Sequence, residues 1–549
     1  MAFTTSMLYT ASALAAVAAF FYLKAIIQNY LSARTLGIPV IILPIDHTNP
    51  FWMLLDRPVL RILKRHLPFV RKTNFARYNY RGWEVHDRYR SHRELGDAFA
   101  IVTPWRNWLY LGDPDALTEL FRRGRDFPRC GELTEVVDVF GTNVVSAGGE
   151  RWKIQRKVIS TCFTEQNYEV LWAESIDLAS DMVKYWGRSG PVKTIAPDTQ
   201  TLSLNVLSRV GFGKSRKFEG HTEKQASDPS RGYTEALETI LENCVLIMAF
   251  GPKTLSRLRA FLPRKLAQCA AACDTFFKYM SRVYEAEKKA AADSCASSSL
   301  NDYNFMAELV RGSQAKVNPL TEEEVYGNMF MINFAAHDST AHTFGFVIYF
   351  LAAHPEVQDW VADELHEVLG PNPQEWNYQR AFPKLKRTLA ILYETLRLYN
   401  PMPINKWTED KTQVLKVKDK VITIPPQTMI IPSYASIQSE PKWWGEDSLE
   451  WKPQRWVDNN GDWVPAKKGT YIGWSEGPRD CAGRKFSQVE IVATLAVLLR
   501  DWTVEPVLAG KETPAEARQR VLNVIEESTP VVLLQMNHPE RTPLVWKRR

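Results

Sequence analysis

Residues 474–483 read Trp474-Ser475-Glu476-Gly477-Pro478-Arg479-Asp480-Cys481-Ala482-Gly483, and the fold is decided by what this loop can hold. The residues after it include Val489, Ile491, Val492, Leu495, Val497, Leu498 and Leu499, which predicts a long helix over 484–500. Cys481 therefore stands just ahead of a helix N-terminus. Backbone N–H groups and the helix dipole favour an anion there, so a thiol gives up its proton more readily. Gly477 and Gly483 remove side-chain bulk on either side. A thiolate in that setting can ligate a flat, metal-bearing ring lying on the loop. The competing reading is a packed structural cysteine before an ordinary helix, the commoner fate of a single cysteine.

Working outward, the stretch Pro453-Gln454-Arg455-Trp456 precedes the loop, and Glu394-Thr395-Leu396-Arg397 precedes that, on a helix beginning near Leu385. Glu394 and Arg397 lie three apart, close enough to pair on one helix. Thr321-Glu322-Glu323-Glu324 reads as a capping box opening a long apolar helix that runs to about Ala353. Inside it lies Ala335-Ala336-His337-Asp338-Ser339-Thr340. An acid and two hydroxyls cost stability in an apolar helix, and such local conflicts tend to mark function. His337 and His342 are five apart, off a common face, and are read as packing residues. Trp152 and Arg156 share a helix face at i, i+4, and a planar, bidentate guanidinium suits a carboxylate.

Taken in this order, the motifs resemble those of the cytochrome P-450 superfamily. Its haem loop follows Phe-x-x-Gly-x-Arg-x-Cys-x-Gly, and four of the five fixed positions match, with Trp474 in place of phenylalanine. The resemblance covers roughly residues 35–540. It implies that Cys481 is the metal ligand, its thiolate binding haem iron and favouring O–O cleavage. Trp152, Arg156, Lys406, Trp474, Arg479, Cys481 and Gly483 would bind the cofactor, haem b (iron protoporphyrin IX). Asp338, Ser339 and Thr340 would be the catalytic residues, with Asp338 relaying protons and the neighbouring hydroxyl meeting bound oxygen. Glu394, Arg397 and Arg455 would form a buried structural ion-pair cluster. The chain departs from the pattern at Ala336, where glycine is usual, at Ser339, where threonine is usual, and at Gln454, where glutamate is common.

The N-terminus sets the cellular context. Residues 1–23 carry no charged side chain, and Met7 to Leu23 is almost wholly apolar. Twenty-one helical residues span about 31 Å, near the hydrocarbon thickness of a bilayer. A cleaved signal peptide is the rival, but no basic segment precedes the apolar run. Positive charge follows it at Lys24, Arg34, Arg57, Arg61, Lys64 and Arg65, which puts the following domain in the cytosol. The segment 38–70 mixes Pro39, Pro44 and Pro50 with large apolar residues and reads as a hinge that also touches the bilayer.

Composition excludes other classes. The chain has 549 residues, a net charge of +6 and 45% hydrophobic residues. That charge is mild, and no basic run interleaved with aromatics argues for nucleic acid. Seven cysteines without a framework spacing point to reduced thiols. There is no CxxC pair, no HExxH and no dinucleotide fingerprint, so electrons must come from another protein.

The expectation is a mainly α chain with small β-sheets, the cytochrome P-450 fold preceded by a single transmembrane helix. Residues 1–30 would be the anchor, 31–70 the membrane-contacting hinge, and 71–549 the haem-thiolate monooxygenase domain. Short elements are expected as a helix over 79–95, strands over 97–103 and 107–111, and a helix over 115–123. Two amphipathic helices over 231–285 would form a lid, residues 288–304 a loop, 411–436 strands, and 521–536 a terminal hairpin. The pocket would be lined from 126–146, the lid, Phe334 to Ala336, Pro403 to Asn405 and Thr529. The function implied is insertion of one oxygen atom into a lipophilic small molecule at the endoplasmic reticulum membrane. NADPH would act through a separate cytochrome reductase. The form looks like fungal microsomal members of natural-product pathways. Desaturation, coupling or peroxide rearrangement on the same fold stays open, as does a non-enzymatic haem-binding membrane protein.

Overall fold

In a computed structural model of the chain, the uncharged N-terminus forms one helix, Ala2–Arg34. The structure describes residues 2–220, 231–293, 304–402, 404–530 and 533–549. Within that helix Ser12–Arg34 has the length and apolarity of a membrane span, with a mean hydropathy of 1.4. Leu14, Val17, Phe20 and Phe21 are exposed along it. Its last turns behave differently. Ala33 and Leu36 are buried. Asn29 Nδ2 donates to the Thr103 carbonyl at 2.9 Å, and Asn107 Nδ2 donates to the Asn29 carbonyl at 3.0 Å. The helix thus ends inside folded structure.

The chain forms two compact units, mostly helical, with small sheets. The first comprises Met1–Cys130, Pro403–Glu450 and Ala466–Asp480. Its centre is a mixed sheet of β1 (Val40–Ile42), β2 (Ala98–Val102), β3 (Asn107–Leu111), β4 (Lys406–Trp407) and β7 (Thr428–Pro432), in the order β1-β2-β3-β7-β4. β2 and β3 are buried along their whole length, which explains their continuous apolar sequence. β5 (Gln413–Val417) and β6 (Lys420–Ile424) form a separate hairpin. Residues 79–95 hold two short helices, Trp83–Asp87 and Arg90–Leu95, instead of one; Arg88 breaks them apart at φ 58°. The expected hinge contains a further helix, Pro50–His66. Asn49 caps it by accepting from Phe51 N–H and Trp52 N–H at 3.0 and 3.1 Å, and Pro50 occupies the first helical position.

The second unit comprises Gly131–Met402, Trp451–Pro465 and Cys481–Arg549. Four helices make its core: Glu165–Ser189, Ile195–Phe212, Glu322–Ala353 and Arg484–Arg500. The capping box at Thr321 is formed: Thr321 Oγ1 accepts from Glu324 N–H at 3.2 Å, and Glu324 Oε2 accepts from Thr321 N–H at 2.8 Å. Gly327 lets another backbone cross this helix, since a Cβ there would sit 2.3 Å from the Gly141 carbonyl oxygen.

Three expectations need correction here. Residues 231–285 hold Arg231–Glu242, Cys244–Phe250, Pro252–Leu258 and the start of Arg264–Asp293, not two helices. Gly251, at φ 74°, and Pro263 punctuate them. The last helix reaches Asp293, so residues 288–293 are helical where a loop was expected; residues 294–303, like 221–230, Pro403 and 531–532, lie outside the described residues. In place of a long terminal hairpin, a helix fills Pro514–Glu526 behind a second capping box, Thr513 with Glu516. Among the described residues there, Thr529–Pro530 and Leu534–Gln535 pair as strands.

Candidate active site

The long helix Glu322–Ala353 is buried on nearly every side, as its all-round apolar sequence requires. Beyond its first turn, the residues not buried are Ala335, Ala336, Asp338, Ser339 and His342. These fall at helical spacing on one face, so a single opening interrupts an otherwise enclosed helix. The backbone is regular α-helix through it. Ser339 Oγ donates to the Ala335 carbonyl at 2.6 Å, which leaves the hydroxyl's lone pairs to accept. Thr340, grouped with Asp338 and Ser339 in the sequence, does not share the face. One further helical step turns it into the core, where it is 4% exposed. Phe334 is also buried, stacked on Phe330 in an aromatic cluster, so it lines no opening on this face.

Asp338 has a partner that the sequence reading missed. His342 Nε2 lies 3.2 Å from Asp338 Oδ1, with both side chains about one-seventh exposed, at 14% and 15%. Burial pushes the Asp338 carboxyl up, but His342, His337 and the Gln200 side chain outweigh it and hold the group below the usual carboxylate range. His337 is a packing residue: it is buried, and its Nε2–H donates to the Gln200 carbonyl at 3.1 Å. His342 is not, contrary to the sequence reading. The signal was available in the i, i+4 spacing from Asp338 to His342.

Cys481 sits just before the helix Arg484–Arg500. It is exposed, whereas Cys130, Cys162, Cys244, Cys269 and Cys273 are buried. Gly483 is the N-cap of that helix, and a Cβ on it would stand 3.9 Å from both Cys481 Sγ and the Phe163 ring. On the helix Gly149–Ser160, Trp152 and Arg156 are half-buried, while Lys153 and Lys157 are exposed.

Behind these, Glu394 is fully buried and receives five donors. Arg397 Nε and Nη2 each donate at 2.8 Å, and Arg455 Nε, Trp456 Nε1 and Lys452 N–H at 2.9 Å. Burial raises the Glu394 carboxyl, yet Arg397 and Arg455 bring it below its ordinary value. The structure thus brings together the three residues of the Glu–Arg–Arg reading. It adds the Trp456 indole and a backbone amide to them.

The first unit supplies a cluster of cations. Lys406 is 3% exposed, with Nζ 5.5 Å from the centre of the Phe121 ring. Burial, then Arg129 and Arg479, push it down to about 8. Burial and Arg129 push Arg479 down to about 10. Arg129 Nη2 donates to the Arg479 carbonyl at 3.2 Å. Sequence reasoning missed Arg129, since nothing in its local pattern separates it from Arg122, Arg123 and Arg125. Trp474 is half-buried and meets Tyr471 edge-on, with ring centres 6.3 Å apart. Gly477 takes φ 74°, and a Cβ there would lie 2.6 Å from the Phe121 carbonyl oxygen. Only glycine allows that turn so close to the backbone.

In the second unit an accessible sulfur donor and an open helix face that carries a carboxylate and a hydroxyl suit a metal-bearing ring. In the first unit Lys406 lies near two arginines, and such cations suit an acidic ligand. Among the described residues no cluster of three or more His, Cys, Asp or Glu could hold a metal ion instead.

Comparison with known proteins agrees. The family model described as Cytochrome P-450 matches residues 68–531. A cytochrome P-450 monooxygenase of Arthrobotrys oligospora is 27% identical over 95% of each chain. The phomenoic acid biosynthesis cluster cytochrome P-450 monooxygenase of Leptosphaeria maculans is 27% identical over 91% of this chain and 92% of its own. A cytochrome P-450 monooxygenase of Penicillium roqueforti is 26% identical over 86% of this chain and 87% of its own. With a mostly helical fold, an accessible cysteine before a buried helix, a family model matched over residues 68–531 and these relatives, the chain belongs to the cytochrome P-450 family of haem-dependent oxidoreductases.

Proposed function

We propose that this chain is a membrane-anchored haem-thiolate monooxygenase that inserts one oxygen atom of dioxygen into a lipophilic small molecule of a natural-product pathway. Residues 1–30 serve as the anchor, 31–70 contact the membrane, and 71–549 form the catalytic part, on the cytosolic side of the endoplasmic reticulum. A separate reductase brings electrons from NADPH. The observation that carries this reading is Cys481, exposed at the head of a buried helix while the other described cysteines are buried. The biosynthetic context is supported by the Leptosphaeria relative, which is named for a biosynthesis cluster.

In this reading Cys481 would ligate the iron, and Gly483 leaves the space beside its sulfur clear. Trp152, Arg156, Lys406, Trp474 and Arg479 would bind the cofactor, as their places in the motifs imply. Bound haem supplies dioxygen activation. The Asp338 carboxylate holds and passes protons on the open helix face, and Ser339 offers its lone pairs to a hydrogen-bond donor there. Thr340, buried, shapes the helix behind them. Glu394, Arg397 and Arg455 fix the helix Lys386–Leu398 to the segment 452–456 without touching substrate.

The test is spectroscopic and then chemical. Reduced, carbon-monoxide-treated protein is expected to show the red-shifted thiolate band, and Cys481→Ala is expected to lose it with all NADPH-driven turnover. A folded, haem-loaded protein without that band overturns the reading. Turnover with peroxide alone but not with reductase and dioxygen would instead favour peroxide rearrangement. Comparing metabolites of cells with and without the chain identifies the substrate.

A further inference from the structure

Asp338 and His342 are one helical turn apart on the one open face of a buried helix, and they form a hydrogen-bonded pair at 3.2 Å. An acid placed there to move protons must be aimed and must be reloaded. We propose that His342 does both: it positions Asp338 and returns a proton to it in each cycle, a role that rests on the proton-relay reading of Asp338 given above. The geometry supports each half. The Nε2–H of His342 donates to Asp338 Oδ1, which fixes the carboxylate against rotation. His342 keeps 14% of its side chain open to solvent, so it can itself be reprotonated.

The proton balance closes. The delivering form of the pair is an Asp338 carboxylate beside a His342 that has taken up a proton from solvent. The Nε2 proton crosses the hydrogen bond to Oδ1, which leaves a neutral imidazole and a carboxylic acid. Asp338 then gives that proton to the reacting oxygen and becomes a carboxylate again. His342 takes one proton from solvent, so one proton moves inward and nothing else changes.

The other groups around the pair do not duplicate this role. His337 is buried on the same helix and held below the ordinary imidazole value, by burial first and then by His342. From the packed helix Ile195–Phe212 the group acting on the carboxylate is Gln200, which does not titrate. Imidazole is the side chain whose charge changes between pH 5 and 8, so the relay carries a pH dependence of its own.

The experiment uses the full haem-loaded chain with its reductase and NADPH, no substrate added, and measures dioxygen consumption from pH 5.5 to 9. Wild-type consumption is expected to fall as pH rises through the imidazole range. Asp338→Asn and His342→Gln are each expected to slow it by about tenfold or more, as loss of a positioned proton carrier does. His342→Gln is also expected to flatten the pH profile, since an amide donates but does not titrate. His342→Lys, which keeps a cation, should flatten the profile over the same range while restoring the pair.

A second readout is independent of turnover. In a melting-temperature cycle of wild type, both single variants and the double variant, Asp338 and His342 should couple at pH 6, and more strongly there than at pH 9. A wild-type pH profile in His342→Gln overturns the role of His342. If that variant loses haem, the same profile in His342→Lys overturns it. Additive melting temperatures at pH 6 overturn the pair itself. Unchanged dioxygen consumption in Asp338→Asn defeats the relay reading of Asp338, a different failure from that of His342 alone.

Discussion

Glu394 shows what one buried side chain can bind together. A carboxylate with no exposure is tolerable only if its oxygens are filled, and here two arginines, an indole and a backbone amide fill them. Glu394→Ala would remove the carboxylate that pairs with Arg397, which is 1% exposed. Breaking a buried pair in that way costs about 3–5 kcal/mol. Denaturant unfolding should show that loss, and haem content after purification should drop with it; a variant with wild-type midpoint and haem content would refute the account. Glu394 and Arg397 were legible as a pair from three-residue spacing alone. Trp456 and the Lys452 amide were not, because no local pattern links residues some sixty positions away.

At the scale of the element, the helix Glu322–Ala353 separates what sequence patterns carry from what they do not. Its start was legible, since Thr321 and Glu324 spell a reciprocal cap. Thr321→Ala removes the Oγ1 that accepts from Glu324 N–H and should cost about 1 kcal/mol, read as a shift in unfolding midpoint. Glu324→Ala should cost more. Glu324 Oε1 also accepts from Arg151 Nε at 2.8 Å and Gln155 Nε2 at 3.0 Å, so its loss unties a neighbouring helix. Equal losses for the two variants would show that the cap, not the tie, dominates. The open face in mid-helix was only half legible. The polar residues at 338 and 339 flagged it, and the i, i+4 spacing offered His342 as a partner for Asp338, but nothing in the pattern separated Thr340, which turns inward, from Ser339. Elsewhere, a proline misled. Pro50 looked like a hinge marker, yet it occupies the first turn of a helix behind the capping residue Asn49.

On the scale of the whole molecule, the order of motifs along the chain was legible, but not the way distant segments interleave into two units. Glu490 illustrates the gap. On sequence it is one polar residue in an apolar helix; in the fold it is 1% exposed and faces Ser203 from another core helix. Neither Glu490 Oε1 nor Ser203 Oγ completes a hydrogen bond among the described residues. Burial therefore pushes the Glu490 carboxyl up to about 8, with Ser203 opposing weakly. The sign of the consequence follows from proton counts. Between an unfolded value near 4.5 and the folded value of about 8, the native state holds a proton that the unfolded state has released. Stability from this group is complete below the lower value and is lost as pH rises toward the upper one, at about 1.4 kcal/mol per pH unit at most. Glu490→Gln keeps the shape and stays uncharged. Its melting temperature should match wild type near pH 4.5 and exceed it increasingly up to pH 8, above which the difference levels off. Parallel melting curves across that range would mean that Glu490 is ionised in the folded protein, and that some group beyond Ser203 stabilises its charge.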